Sequence, residues 1–130
     1  MKFKVVTTEI EDYDSELEDI KINTVTYHFL RNLNTEKMYK DDTDHEFNMQ
    51  IGELVARMSE TEANPADKNA LAELTSLEFL DTRHEVLKYM YANEKNGKLV
   101  QNEATRDEFE ELELDEAQVF RTFLSKILGA

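Results

Sequence analysis

The spacing of apolar positions changes once along this chain, and the change divides it. Lys2 to Thr8 alternates Phe3, Val5 and Thr7 against Lys4 and Val6, with β-branched residues dominating, which predicts a strand. Ile20 to Thr24 alternates Ile20 and Ile22 against Lys21 and Asn23, a second short strand. Between them, Glu9 to Asp19 carries seven carboxylates and no basic residue, and reads as an acidic loop. Two such strands form one antiparallel hairpin, too small to stand without helices packed on it.

From Thr26 the period turns helical. Tyr27, Leu30 and Leu33 fall on one face with Phe29 beside them, and Asn34 closes that stretch. Thr35 re-caps a short turn carrying Met38 and Tyr39, and Lys40 to Asp44 is a polar break. Thr43 or Asp44 then caps a helix with Phe47, Ile51, Leu54, Val55 and Met58 at steps of three and four. Glu46, three residues after Thr43, gives the spacing of a capping box. Asn64-Pro65 marks a boundary, with a capping asparagine and the sole proline at a first helical position. Leu71, Leu74 and Leu77 follow, then Phe79 and Leu80. Asp81 and Thr82 either cap a separate helix holding Val86, Leu87, Met90 and Tyr91, or the two run as one with a bend. Asn96-Gly97 is a turn signal, and the short Leu99-Val100 run leads on from it.

The last quarter is the most fully specified. Thr105 caps an acidic helix. Asp115 is an N-cap with Glu116 in the first turn, Lys126 lies in the last turn, and Gly129 suits a left-handed C′ position. Between these ends, Val119, Phe120, Phe123, Leu124, Ile127 and Leu128 recur at helical spacing. Phe120 and Phe123 are three apart with Val119 and Leu124 beside them, so both cannot point along one core line. One of them, with Leu124 or Leu128, is expected to form an exposed patch for a partner helix or for self-association. The plainer alternative buries all six.

The pattern predicts an α+β fold that is mostly α: a short N-terminal β-hairpin followed by a compact bundle of about five or six helices in one domain. Its parts are the hairpin and acidic loop (1–25), the first helices (26–63) and the C-terminal helices (64–130), with strands only before about residue 25.

Charge narrows the function. With 15 basic and 29 acidic residues the net charge is −14, which argues against binding nucleic acid by phosphate neutralisation and against an anionic membrane surface. A neutral or basic protein partner, or solubility alone, remains. The chain has no cysteine, hence no disulfide, thiol nucleophile or cysteine zinc site. No apolar run suits a signal peptide or a membrane span, so a soluble cytoplasmic protein is expected.

Candidate chemistry is thin. Counting from Asp42, oxygen-bearing residues recur at calcium-loop offsets (Asp44, Glu46, Asn48, Gln50 and a closing Glu53), but Phe47 stands where the sharp turn needs glycine. The same stretch makes a good capped helix. His28, His45 and His84 are far apart in sequence and none belongs to a two-histidine metal motif; His84 and Glu85, as neighbours on a helix, should diverge. No serine-nucleophile pattern exists, and three glycines cannot make a phosphate-binding loop. No catalytic residue, metal or cofactor is therefore expected. Carboxylate density is what remains: Glu103 to Glu116 holds eight acids against Arg106. A solvated face is the plain reading. The sharper one is a surface imitating a phosphate backbone, with Asp107, Glu108, Glu111 and Asp115 along one helical face if that helix is unbroken.

The order of elements resembles the tail assembly chaperones of long-tailed bacteriophages. The resemblance lies in the opening pair KFKVVTTE and EDIKINTVT running into YHFLRNLN, the compact acidic helices beyond, and HEVLKYMYANEKNGKLVQNEATRDEFEELELDEAQVFRTFLSKIL at the end. It spans most of the chain and rests on arrangement and size. It implies a protein without enzyme activity that binds the tape-measure protein, and in some cases tail-tube subunits, in the host cytoplasm before assembly. The alternative is an acidic inhibitor that mimics DNA, aimed at a host DNA-binding protein or nuclease.

Overall fold

The computed structural model describes residues 2–14, 19–63, 66 and 68–128. Elements run β1 (Lys2–Asp14), β2 (Asp19–Leu30), α1 (Leu33–Thr43), α2 (Phe47–Ala63), α3 (Lys68–Leu74), α4 (Leu77–Met90), β3 (Tyr91–Lys95), β4 (Lys98–Val100), α5 (Glu103–Glu110) and α6 (Glu116–Leu128). The six helices hold more than half of the chain, as an α+β, mostly α architecture requires.

The β part is larger than the sequence pattern suggested. β1 pairs antiparallel with β2 from Lys2 opposite Leu30 to Asp14 opposite Asp19, with a register shift between Ile10 and Asp12. Glu9 to Asp14 is thus strand where an acidic loop was expected, and Thr26 to Leu30 is strand where a helix was expected. The physical reason lies in residue type. Tyr27 and Phe29 are buried while Thr26 is exposed and His28 half-buried, a period of two that aromatic and β-branched residues favour.

Strands also recur late in the chain, contrary to the expected limit near residue 25. Asn96 (φ 54°) and Gly97 (φ 77°) make a two-residue turn with both φ values positive, which matches the twist of the strands it joins. β3 and β4 pair across it, and β3 pairs with β2 through His28–Ala92 and Phe29–Tyr91, so the sheet order is β1-β2-β3-β4.

Two helix starts share one device. Asn32 and Asn102 are N-caps whose side chains accept from the backbone N–H of Thr35 and Thr105, while each threonine hydroxyl accepts from the asparagine N–H. Both threonines are buried. Thr105 and Thr35 are therefore third-position partners of asparagine caps, not caps themselves. The Thr43–Glu46 box also fails to form: α1 runs through Thr43 and stops at Asp44 in the left-handed region (φ 61°). Ser76 caps α4 through the N–H of Phe79, placing Asp81 and Thr82 inside that helix. The Asn64-Pro65 signal lies outside the described residues.

α4 touches each of the other five helices and β2. It buries Phe79, Val86, Leu87, Tyr89 and Met90, each contributing about 1.5–3 kcal/mol of transfer free energy where fully buried. Phe3 stacks on Phe29 at 5.0 Å and meets Phe123 of α6 at 5.5 Å, fixing the last helix against β1. Tyr91 meets both Phe29 and Phe109, which ties α5 to the same core.

Candidate protein-binding site

The helices leave an acidic groove between α1, α2 and α4, of about 560 Å³. Glu53 enters from α2; Glu78, Asp81 and Glu85 enter from successive turns of α4; Tyr39 and Thr43 come from α1, with His45 at the rim. The spacing of the α4 acids at steps of three and four places them along one side of that helix. Two are partly neutralised: Glu78 by Arg57 at 3.1 Å and Glu85 by Lys88 at 2.9 Å. Burial, then the charges of Glu85 and Glu53, hold the Tyr39 phenol above its usual pKa, as a negative groove should. Leu77, one helical turn before Asp81 on α4, is 75% exposed. The groove thus offers carboxylates with one exposed leucine next to Asp81.

A second titratable group is assembled by α4, α5 and α6. His84 Nδ1 lies 3.1 Å from the Glu116 carboxylate and its Nε2 3.0 Å from Glu110. Its ring packs on Phe109 with centroids 5.2 Å apart. Lys88 reaches both Glu85 (2.9 Å) and Glu110 (3.1 Å). Burial alone would lower the His84 pKa, but the two carboxylate hydrogen bonds outweigh it and raise it above the usual histidine value. Glu110 is held low: burial opposes this, and the bonds from His84 and Lys88 prevail.

His84, Glu85 and Glu110 bring ligand-type atoms within 4.8 Å of one another, so the divergence expected for His84 and Glu85 does not hold. The ammonium of Lys88 already sits against both carboxylates, and both imidazole nitrogens are engaged. The group is an ion-pair network joining three helices.

The residues singled out from sequence fare differently. Phe120 and Phe123 are 1% and 0% exposed, with centroids 5.9 Å apart, and Val119 is buried beside them. The expected exposed phenylalanine is overturned: the two rings pack against each other, and that of Phe123 also meets Phe3 of β1. Leu124 is half-buried against the core, Ile127 is exposed at 38%, and the Leu128 side chain lies outside the described residues. The acidic row does not share one helix either. α5 ends at Glu110, Glu111 follows as its C-cap, and Leu112 and Leu114 turn toward the core. Glu108 hydrogen-bonds Asn93, while Asp115 caps α6 by accepting from Gln118 N–H at 3.2 Å. The Asp115 cap follows the sequence expectation; the continuous face through Glu108, Glu111 and Asp115 does not.

The groove was missed because its residues come from three helices far apart in sequence. Only Glu78, Asp81 and Glu85, at helical spacing, carried a local signal. Comparison with protein families, with characterised proteins and with solved structures gives no match. Among the described residues no helix is long and apolar enough to cross a membrane.

Proposed function

We propose that this chain is a non-enzymatic binding protein that takes a basic, partly apolar protein segment into the groove between α1, α2 and α4. The observation that supports it is the convergence of Glu53, Glu78, Asp81 and Glu85 on one groove, with the exposed Leu77 one helical turn from Asp81. Lysine or arginine side chains meet the carboxylates, and Leu77 meets the apolar part of the segment, a division typical of partner recognition.

The most concrete form of this reading is a tail assembly chaperone that holds the tape-measure protein in the host cytoplasm before assembly, with tail-tube subunits as a further partner. Its support is the resemblance read from the sequence, of which the paired N-terminal strands and the closing amphipathic helix keep their places, while YHFLRNLN, taken there as a helix, is strand through Leu30. The DNA-mimic reading draws on the charge of −14 but lost the particular row it relied on, since Glu108 and Asp115 stand on different helices.

The test is a pull-down of a tape-measure fragment and of a basic DNA-binding protein, each at low and moderate salt, with the wild type and with Glu53→Gln/Asp81→Gln. Both substituted positions are exposed, so the fold should survive. Capture of the tape-measure fragment that persists at moderate salt and weakens in the variant supports the chaperone. Capture of the basic protein alone, abolished by salt, replaces it with the mimic.

A further inference from the structure

On a chain that carries about twice as many acids as bases, three lysines gather around one cavity. Lys2 and Lys4 of β1, Lys126 of the last turn of α6 and His28 of β2 line a space of about 450 Å³ whose apolar wall includes Phe3 and Leu99. Strand geometry explains the gathering. Lys2 and Lys4 are two apart and so share one face of β1; Lys4 lies directly opposite His28 in the ladder. Phe3, between them, faces the other way onto Phe123, so α6 brings Lys126 to this end of β1 from the strand's opposite face.

The three ammonium groups have no ion-pair partner among the described residues, although carboxylates are abundant. His28 is different: its Nε2 lies 3.4 Å from Glu94 at the margin. Lysines that line one cavity without carboxylate partners among the described residues give it a positive potential that suits an anion.

From this juxtaposition we infer that the cavity is a binding site for a small organic anion carrying a multiply charged phosphate-type head on an apolar or aromatic body. Three point charges suit a dianion better than a single carboxylate, and lysine ammoniums bind phosphate oxygens without the fixed fork that arginine imposes. The half-buried Leu99 gives the body of the ligand apolar surface, and the volume lies in the range of small-molecule sites. This site lies apart from the acidic groove and has the opposite sign, so it stands or falls independently of the protein-binding reading.

The experiment is isothermal titration of the full chain with 1-naphthyl phosphate, with inorganic phosphate as the charge-only probe and 2-naphthol as the apolar-only probe. Lys4→Gln/Lys126→Gln is the test variant, and exposure of both lysines means that its thermal melting should match the wild type. Expected is saturable binding of 1-naphthyl phosphate at one site, weaker binding of either half-probe, and a dissociation constant at least about tenfold higher in the double variant. Absence of saturable binding of 1-naphthyl phosphate overturns the inference. So does binding that the double variant leaves unchanged, because the anion then sits elsewhere.

Discussion

The hydroxyl of Thr35 meets Oε1 of Gln101 at 3.1 Å, a contact across 66 residues of chain that joins the entry of α1 to the entry of α5. The same hydroxyl lies 3.1 Å from the carbonyl of Leu30, and Gln101 Nε2 donates to the carbonyls of Leu30 and Tyr89. One side chain therefore serves the end of β2, the end of α4 and the start of α1. Such carbonyls stand at element ends, where no regular ladder serves them, and burying them unpaired is costly.

Replacing Gln101 with alanine should accordingly destabilise the protein by about 1–3 kcal/mol, more than its partial exposure suggests. Asn32→Ala, which removes a cap and leaves the Thr35 N–H without its acceptor, should cost about 0.5–2 kcal/mol. Urea unfolding of both variants and of the pair checks this. Because the two positions share Thr35, the double variant should cost less than the sum.

The His84 network sets a pH window. Folding raises the His84 pKa, so its contribution is fully present below the unfolded value of about 6.5 and is lost as pH rises through the folded value. Folding lowers the Glu110 pKa, so that contribution is present above its unfolded value of about 4.5 and is lost as pH falls through the folded one. Stability should therefore decline as pH rises from about 6.5 through the raised folded value in the wild type. His84→Gln should flatten that decline while costing about 1–2 kcal/mol near pH 6, the partial exposure of the ring keeping the figure modest. Thermal melts across the pH series give the comparison, and an equal decline in the variant would assign the pH dependence to other groups.

Calcium should leave the melting temperature unchanged. Phe47 occupies the position a calcium loop gives to glycine, and it is 1% exposed with its ring against Tyr39 at 5.2 Å. Asp42 already accepts from the Tyr89 hydroxyl at 2.8 Å and lies 3.8 Å from Arg106, while Lys40 lies 3.5 Å from Glu46. A site binding only the native state would add about 2.7 kcal/mol at a hundredfold excess over its dissociation constant, so a shift of several degrees in millimolar calcium is the contrary result.

What could be read from sequence follows from how local each signal is. The Asn96-Gly97 turn, the Asp115 cap and the apolar steps of α2 and α6 depend on neighbours within one or two turns, and they stand as expected. Tyr27 to Leu33 reads as helix because Tyr27, Leu30 and Leu33 satisfy a helical period, but Tyr27 and Phe29 satisfy a strand period as well. Pairing with Lys2 to Val5 resolved it, and that information is not local. β3 was hidden for the same reason: Tyr91 and Ala92 extend the apolar run of α4, and only the pairing with β2 bends them into the sheet. The groove and the lysine cavity each draw on residues from several elements, so their charges could be counted in advance but not placed.

The burial of Phe123 decides what the closing helix does. Its ring meets Phe3 at 5.5 Å and Phe120 at 5.9 Å and is fully buried, so it is part of what holds α6 to the sheet. Phe123→Ala should destabilise by about 3–5 kcal/mol, the range for emptying a buried aromatic site. Ile127→Ala, at a position 38% exposed in the last turn, should cost far less, under about 1 kcal/mol. Urea midpoints of the two variants separate the readings. An exposed aromatic anchor would give the opposite order, with Phe123→Ala nearly neutral for folding and harmful only to partner binding. The packing against Phe3 requires the first order, and with it any loss of partner capture in Phe123→Ala should track the unfolded fraction.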